Sequence, residues 1–572
     1  MTIHSLRPGL AILGAALLYV TTKPSLAATI TVTNTADSGT GSLRAALAAA
    51  SNGDIIDATA VSGTILLTSG QLKLTNSVTI LGSGSLAVNG NYPNTTNRVF
   101  YINPKLMVTI AGLTITNGHV SGSFPNDAGG AIYNDHSTLT LSNCFVSGNS
   151  ADYAGGIYND GSFFDSATVA LITSTISGNS ANYAGGIYND GAGGSATVSL
   201  SASTMLGNSA TVNGGGIIND SQSSGSATIL LSISTISGNS AEASGGGIYN
   251  GGQSGTTTLT VANCMVISNS ASTGGAVYSQ RSTTTISNST FSGNIADYGG
   301  GIYNDGFHTT NAALSLITST FSTNSASTFG GAIYNDGSTA GSATLSVLAS
   351  TFSGNTAGFG GAILNDGTTS GKATVQVGDS ILRAGTRGGS IFNSAGTITS
   401  LGYNLSSDNG GGLLTGTADQ INTDPNLGPL QNNGGPTLTH ALLEGSPAVD
   451  QGKNLSGSTI DQRGFPRTFN DPGIANAPGG DGSDIGAVEA QNAITTPIFL
   501  ASPQKLLNGP FQFSFTNTPG ASFSVLTSTN MALPLSNWTV LGAPIEISPG
   551  LFQYSDPLAT NNQRGFYNVR SL

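Results

Sequence analysis

The residues of this chain that are best placed to bind a ligand form a row of aspartates at nearly regular spacing. Each one follows an asparagine, and the row consists of Asp135, Asp160, Asp190, Asp220, Asp305, Asp336 and Asp366. On adjacent turns of a stacked structure they would lie about 5 Å apart, close enough to repel one another and to attract Ca²⁺. Alternatively, Asn-Asp-Gly is a turn whose carboxylates are solvated or bonded to backbone. Gly251 and Gln280 interrupt the row, so the turn is favoured and these residues are weak Ca²⁺ candidates.

Tyrosines accompany the row and offer a second chemistry. Stacked at one position they would form an aromatic platform for a sugar, but an aromatic between Ile and Asn in a repeating strand is more often packed in a core or beside a corner. We favour packing. The tyrosines concerned are Tyr158, Tyr188, Tyr249, Tyr303 and Tyr334.

Catalytic residues are not indicated. Glycoside hydrolysis needs two converging carboxylates, and a lyase needs a base beside an acidic, cation-binding cluster. Basic residues between positions 129 and 393 are few and scattered, namely Arg281, Lys372, Arg383 and Arg387. The histidines share no spacing that would suit zinc or a catalytic triad. We therefore assign no catalytic, cofactor-binding or metal residue beyond the Ca²⁺ candidates.

Composition limits the class of partner. The 572 residues include 81 Gly, 8 % are charged, and the net charge is −12, which makes nucleic acid an unlikely partner. Cys144 and Cys264 share one repeat position four coils apart, hence about 19 Å from each other at 4.8 Å per coil. A disulfide needs Cα atoms within roughly 7 Å, so two buried free thiols are predicted.

The element that must position these residues is a repeat. Close variants of the sequence at 299–305, Gly-Gly-Gly-Ile-Tyr-Asn-Asp, occur ten times between positions 129 and 393, in steps of 25 to 31 residues. A second motif ending in asparagine, as in Ile176-Ser-Gly-Asn179, precedes most copies. Such a period is typical of a solenoid, in which stacked neighbours bury a continuous core.

Positions counted back from the asparagine that ends the second motif predict which side chains face inward. The third residue before it is large and apolar, the fifth is small and the eighth is aliphatic, as in Ile176, Ser174 and Leu171 before Asn179. Period-2 alternation with corners fits three short strands per coil. The repeat is too short for a propeller blade and lacks a leucine-rich frame. We predict an all-β, right-handed, single-stranded parallel β-helix with capped ends, with Gly-Gly corners and αL turns at the asparagines.

The paired motifs resemble the GGAI and FxxN repeats of the chlamydial polymorphic membrane proteins, which are β-helical adhesins. The GGAI form is present at Ala131-Ile132, Ala332-Ile333 and Ala362-Ile363. The FxxN motif begins at Phe291, Phe321 and Phe352. The resemblance implies a surface-exposed adhesive β-helix.

The regions before the repeats read as a leader and a cap. Residues 1–28 are predicted to be a signal peptide cleaved near Ala27 or Ala28. Residues 29–128 hold a short Ala-rich helix with Ser42 as N-cap, followed by irregular coils. The sequence Gly41-Ser-Leu-Arg-Ala-Ala46 resembles the CSLREA-type region of bacterial β-helix proteins, without its Cys and Glu.

Two regions follow the repeats at 129–393. Residues 394–490 resemble the choice-of-anchor Q region of secreted β-helices and are predicted to form a C-terminal cap, in which Arg463 pairs with Asp484 or Glu489. Residues 491–572 show short alternating segments and are predicted to form a small antiparallel β-sandwich module.

Three functions are compatible with this organisation. We expect an exported bacterial cell-surface or extracellular adhesion protein without catalytic activity, a monomer that binds a glycan or a surface protein. A polysaccharide lyase or glycoside hydrolase on the same scaffold is the first alternative, and a structural surface or matrix protein is the second. No transmembrane helix is expected in the mature chain, and no cofactor other than Ca²⁺.

Overall fold

The computed structural model describes residues 27–306, 311–491, 498, 500–505, 510–517, 523–531, 537–548, 550–556, 559 and 565–571. The predicted signal segment lies outside these residues, except for its end at Ala27 and Ala28. Within the described part of the chain, no helix has the length and apolarity needed to cross a bilayer.

The predicted parallel β-helix is confirmed. From Thr29 to Ser406 each strand pairs in parallel with the equivalent strand of the next coil, and three sheets form the walls. Sheet 1 is the largest, with 25 strands in two limbs that meet at a corner. Its long limb comprises Thr29–Thr31, Ile55–Ala58, Gly63–Leu66, Thr79–Asn89, Met107–Thr116, Thr138–Ser142, Ser166–Ile172, Ser195–Ser201, Ser226–Ser232, Thr256–Ala262, Ser282–Ser287, Asn311–Ile317, Ser342–Leu348, Lys372–Gly378 and Thr397–Gly402.

The short limb of sheet 1 follows after each corner. It comprises Phe145–Ser147, Thr175–Ser177, Thr204–Leu206, Thr235–Ser237, Met265–Ile267, Thr290–Ser292, Thr320–Ser322, Thr351–Asn355, Ile381–Ala384 and Leu405–Ser406. Sheet 3 comes next and is broken into two pieces, Ser150–Tyr153, Ser180–Tyr183, Ser209–Asn213 and Ser240–Ala241, then Ile295–Tyr298 and Ser325–Phe329.

Sheet 2 carries the Tyr-Asn-Asp motif. Its 12 strands are Leu72–Leu74, Phe100–Ile102, Ile132–Asp135, Ile157–Asp160, Ile187–Asp190, Ile217–Asp220, Ile248–Gly251, Val277–Gln280, Ile302–Asp305, Ile333–Asp336, Ile363–Asp366 and Ile391–Ser394. In the strands that carry the full motif, such as Ile157–Asp160, the aliphatic residue and the asparagine point into the helix, so the tyrosine and the aspartate point outward.

The inward positions follow the predicted offsets. Ile176, Ser174 and Leu171 are all buried, and so are their counterparts on the other coils. Both asparagines form internal amide ladders: Asn179 Nδ2 donates to Asn208 Oδ1 at 2.9 Å, and Asn159 Nδ2 donates to Asn189 Oδ1 at 2.7 Å. These ladders satisfy polar groups that the core would otherwise leave without a partner.

The assignment of αL turns to the repeated asparagines is wrong. The left-handed residue at that corner is the preceding glycine, as with Gly178 at φ +59°, because the asparagine must keep its amide aligned with the next coil. The Gly-Gly corner is as predicted. Gly299 has φ +64°, and a Cβ on Gly300 would lie 2.4 Å from Gly331 O of the following coil.

The two cysteines lie in the serine ladder as free, buried thiols, as predicted. Cys144 N donates to Ser174 Oγ at 3.1 Å, and Cys264 N donates to Ser289 Oγ at 3.1 Å.

The N-terminal end is closed by the predicted helix, Leu43–Ala49, with Ser42 as N-cap. Ser42 Oγ accepts from Ala45 N at 3.2 Å. Leu43, Ala46 and Leu47 are buried in the main core, so the helix covers the apolar interior that the first coil would otherwise expose.

Residues 407–491 contain little regular structure, namely the antiparallel pair Leu427–Gln431 and Thr439–Leu442 and the 3-10 turn Gly410–Gly412. Besides following the last coil, this segment folds back along the short limb of sheet 1. Its contacts there join Thr290 Oγ1 to Leu438 O (2.5 Å), Thr320 Oγ1 to Gln462 Oε1 (2.6 Å), and Ala487 N to Thr351 Oγ1 (3.0 Å).

Buried acidic and basic side chains hold this segment together, in pairs other than those predicted. Arg463 pairs with Asp461 at 2.7 Å and reaches only the backbone oxygen of Glu489. The fully buried ion pair is Arg467 with Asp379 of the β-helix, at 2.6 Å. The carboxylates of Asp484 and Glu489 instead accept hydrogen bonds from backbone N–H groups. These N–H groups are not paired in a strand, and buried backbone donors need an acceptor.

The C-terminal module has two antiparallel sheets around one aromatic core, as the β-sandwich prediction requires. One sheet contains Ala501–Lys505, Phe511–Thr516, Leu551–Asp556 and Ile545–Ser548, and the other contains Thr539–Gly542, Phe523–Ser528 and Phe566–Ser571. Phe513, Phe515, Phe523, Val525 and Phe552 form the core.

Candidate functional site

The outer face of sheet 2 carries a ladder of tyrosines and aspartates that we call the Tyr–Asp ladder. Seven of the tyrosine hydroxyls donate to Oδ2 of the aspartate on the following coil. The pairs are Tyr101–Asp135 and Tyr133–Asp160 (both 2.5 Å), Tyr158–Asp190 (2.6 Å), Tyr188–Asp220 (2.8 Å), Tyr278–Asp305, Tyr303–Asp336 (2.6 Å) and Tyr334–Asp366 (3.2 Å).

The other carboxylate oxygen holds the turn after the strand. Asp160 Oδ1 accepts from Ser162 N at 3.1 Å, and Asp336 Oδ1 accepts from Ser338 N at 2.9 Å. The structure thus brings all seven predicted aspartates into one column, with hydrogen bonds of the kind expected for a turn. Binding of Ca²⁺ to this column stays a prediction.

The ladder tyrosines pack against one another. Tyr133 and Tyr158 stack with ring centroids 5.2 Å apart, and Tyr303 and Tyr334 with centroids 4.7 Å apart. Burial, followed by the adjacent Asp190 carboxylate, raises the pKa of Tyr158 well above its usual value. The hydroxyls therefore remain protonated donors, and most ring faces are covered by the neighbouring ring rather than offered to a ligand.

One interruption of the ladder opens a cavity that we call the ladder gap. On one coil Ile218 replaces the tyrosine, and on the next Gly251 replaces the aspartate, in register with Asp220. The cavity holds about 240 Å³, and its lining includes Tyr188, Asp220, Gln222, Tyr249, Gly251 and Gln280. The sequence showed Gly251 and Gln280 as breaks in a row, but it did not show that they adjoin the missing ring.

A shallow groove runs along sheet 3. It encloses about 380 Å³, and Glu242, Asp297 and Arg387 contribute to its lining. Glu242 and Asp297 stand at the same position two coils apart, hence about 10 Å from each other along the stack. The analysis of the sequence missed this pair, although both residues stand three positions after the second asparagine of their coils.

The long limb of sheet 1 presents a flat face that we call the hydroxyl face. Two outward columns cross eleven coils, or about 48 Å, and 17 of their 22 residues are Thr or Ser, with no charge among them. The columns are Met107, Thr138, Thr168, Thr197, Thr228, Thr258, Thr283, Ala313, Thr344, Thr374, Thr397, and Thr109, Thr140, Ala170, Ser199, Leu230, Thr260, Thr285, Ser315, Ser346, Gln376, Thr399.

At the start of the aspartate column His136 joins Asp135 and Asp160. Its Nδ1 lies 2.5 Å from Asp135 Oδ1, and its Nε2 lies 2.9 Å from Ser162 O. Although burial opposes protonation of His136, hydrogen bonds to these acceptors and the nearby carboxylates raise its pKa. Both ring nitrogens face acceptors, which suits a protonated imidazole that closes the column.

Comparison with known proteins identifies the repeat. Residues 288–305, 318–336 and 349–366 match the Chlamydia polymorphic membrane protein (Chlamydia_PMP) repeat. Each stretch spans one FxxN motif and the tyrosine or leucine motif that follows it, so the predicted pairing of the two motifs is confirmed there. The resemblance of other regions to CSLREA and choice-of-anchor Q proteins stays a prediction.

No curated protein matches the chain. Among solved structures, a match is found to "Crystal structure of pectate lyase Pel9A", with a TM-score of 0.32 and 14 % sequence identity, over 81 % of this chain and 97 % of that chain. A similarity this distant transfers no residue role to the present protein.

Proposed function

We propose that this protein is an exported, surface-associated or extracellular adhesion protein that binds a glycan or a surface protein as a monomer without cleaving it. The observation that carries the proposal is the hydroxyl face, an uncharged array about 48 Å long that the other described residues leave largely uncovered. The matched repeats support the surface location, since they belong to membrane proteins of Chlamydia by name.

The hydroxyl face suits a repetitive partner. Its hydroxyls recur about every 4.8 Å along the stack and about every 6.7 Å along each strand. Side chains of Thr and Ser both donate and accept hydrogen bonds, and short side chains lose little entropy when a partner covers them. An extended glycan presents hydroxyls at repeated intervals and can satisfy many of these groups at once.

The first test is retention of the mature chain, starting at Ala28, on a glycan array with and without Ca²⁺, followed by a product assay on each retained glycan. We expect retention without cleavage. A requirement for Ca²⁺ would assign a role to the aspartate column. Absence of retention on every glycan and every purified surface protein tested would contradict the proposal.

A triple substitution locates the contact. Thr228→Glu, Thr258→Glu and Thr283→Glu place like charges on neighbouring coils of the hydroxyl face without entering the core. We expect retention to fall at least tenfold. Asn182→Glu on sheet 3 is the matched control, because it adds a charge to an exposed position on another wall.

Cleavage of a polysaccharide is the second candidate, and the Glu242–Asp297 pair favours it. Inverting glycosidases hold two carboxyl groups about 6.5–9.5 Å apart, which side-chain rotation could achieve across two coils. If the product assay detects cleavage, Glu242→Gln and Asp297→Asn should each abolish it while leaving retention intact.

A further inference from the structure

We infer that the ladder gap is a binding site for a single pyranose ring of a glycan. This inference deepens the proposed function and rests on it for the nature of the ligand. The site occupies the place of one rung of the Tyr–Asp ladder. That rung lacks both its tyrosine, which is replaced by Ile218, and its aspartate, which is replaced by Gly251.

Two tyrosine rings bound the gap along the stack. Tyr188 stacks on Tyr158 at 5.1 Å on one side, and Tyr249 stacks on Tyr278 at 5.1 Å on the other. Between them the registered residue is Ile218, so Tyr188 and Tyr249 lie two coils, or about 10 Å, apart. The centroids of interacting aromatic rings lie about 4.5–7 Å apart. Ile218 is buried and also lines the cavity, but its side chain is shorter than a tyrosine, so the outer part of this rung is left open. One six-membered ring fits there, within contact distance of both tyrosines.

The missing aspartate supplies the room for that ring. A Cβ on Gly251 would lie 3.2 Å from Tyr249 Cε1 and 3.4 Å from Gln280 Cβ, so any larger side chain would extend into the cavity. A cavity of about 240 Å³ is smaller than the roughly 300–1,000 Å³ of drug-sized ligand sites. It accommodates one ring rather than an oligosaccharide, and the rest of a chain would run across the surface.

The polar groups around the gap suit a ring that carries hydroxyls. Tyr188 and Gln222 both donate to Asp220 Oδ2, at 2.8 and 2.9 Å. The Asp220 carboxylate also accepts from the Ser221 backbone, and each of its oxygens can accept more than one hydrogen bond. Gln280 uses its amide nitrogen to reach Asp305 at 3.0 Å, and its amide oxygen takes no part in that bond.

Tyr249 differs from the other ladder tyrosines. The residue at its acceptor position on the next coil is Gln280 instead of an aspartate, so its hydroxyl faces no carboxylate there. A sugar hydroxyl can take that place. Because a pyranose offers C–H groups on its faces and O–H groups at its edge, it matches tyrosine faces along the stack and amides and a carboxylate around the rim. A purely aromatic ligand would leave the rim groups unused.

The ligand class can be tested by saturation-transfer NMR on the full mature chain. The probes are methyl glycosides of glucose, galactose and N-acetylglucosamine. We expect saturation of the ring C–H protons of at least one probe, and its apparent affinity should fall three- to tenfold in Tyr249→Phe, which loses one hydrogen bond. Saturation of none of the probes would overturn the inference.

A double substitution closes the gap with residues that the repeat itself uses. Ile218→Tyr with Gly251→Asp restores a regular Tyr–Asp rung. The new Cβ at position 251 requires a small shift of the Tyr249 ring, and the urea midpoint of the variant shows whether it folds like the parent protein. We expect its affinity for the pyranoside to fall more than tenfold. Tyr303→Phe, in a complete part of the ladder, is the matched control and should bind like the parent.

The two proposals fail separately. Unchanged pyranoside binding in the double variant would overturn the assignment of the ladder gap, whereas glycan retention through the hydroxyl face would survive that result. If instead the parent chain retains no glycan in any assay, the adhesive function itself is contradicted.

Discussion

A polar side chain of this protein forms its bonds mainly with the coil that follows it. The hydroxyl of Tyr303 bonds to Asp336, one coil further on, and the same holds along the ladder. Because the acceptor is charged and partly buried, each such hydrogen bond should contribute more than a surface contact. A residue in the repeat therefore cannot be evaluated without its neighbour at the same position.

Replacement of Tyr303 by Phe tests this contact. We expect the free energy of unfolding to fall by about 2 kcal/mol, since Asp336 loses a charge-assisted donor. The measurement is the urea midpoint of the chain from Ala28 onward. Tyr298→Phe is the control, because Tyr298 is 37 % exposed. Equal midpoints for both variants would show that the ladder bond adds nothing to stability.

The internal asparagines are the more sensitive positions. Asn208 Oδ1 accepts from the backbone and side-chain nitrogens of Asn179, and its Nδ2 donates to Asn239 and to Ile176 O. Asn208→Ala leaves several buried groups without a partner, which should cost about 3 kcal/mol or more. Asn182→Ala, at an exposed position, should change the urea midpoint little. A small effect at Asn208 would mean that water or a local shift replaces the amide.

At the scale of elements, the coils and the segment after them are stabilised differently. The coils rely on strand pairing and inward ladders, whereas residues 443–490 lack strands and rely on buried carboxylates that accept backbone N–H groups. Such groups are sensitive to pH, because burial disfavours their charged form.

The docking of this segment should weaken as the pH rises. Burial, together with the nearby Asp450 and Asp484 carboxylates respectively, raises the pKa of Asp484 and of Glu489 in the folded chain. Between the unfolded pKa of about 4 and these raised values the folded state binds more protons, so the free energy of unfolding decreases with pH. Hydrogen exchange over 437–490 should be faster at pH 8 than at pH 5.5.

The control for this prediction is Glu489→Gln, which cannot ionise and should reduce the difference between the two pH values. Exchange over 132–306 should change less with pH than exchange over 437–490, apart from the chemical dependence of exchange itself. A difference of the opposite sign would contradict the assignment.

At the scale of the whole molecule, the β-helix has three walls with different surfaces. One is the hydroxyl face, the second carries the Tyr–Asp ladder with its gap, and the third carries the groove on sheet 3. The short limb of sheet 1 is partly covered by residues 407–491, which fold back along it and which we call the returning segment. Arg467 fastens this segment to the last coils through Asp379.

Arg467→Met should release the returning segment from the β-helix. The substitution leaves Asp379 buried without its partner, and breaking a buried pair in this way costs about 3–5 kcal/mol. Limited proteolysis should then cut within 437–490, while coils 132–306 remain protected. Arg383→Met, at an exposed position, is the control. Resistance equal to that of the parent would show that the threonine contacts suffice for docking.

The sequence by itself determined the architecture. Apolar, small and aliphatic residues at fixed offsets from Asn179 and its counterparts define inward positions, and a repeat of about 30 residues cannot bury them without stacking. The N-cap at Ser42, the free thiols and the antiparallel module follow equally from local pattern.

Only the tertiary structure decided which positions meet. The distance in sequence between Tyr188 and Asp220, or between Thr320 and Gln462, says nothing of contact until the register of the coils and the path of the returning segment are known. The αL glycines beside the asparagines, the pairing of Arg467 in place of Arg463, and the gap at Ile218 all depend on such long-range neighbours. A periodic sequence determines the coil, because the interactions within the coil are local or repeated. A site, in contrast, arises where neighbouring coils differ from the repeat at adjacent positions.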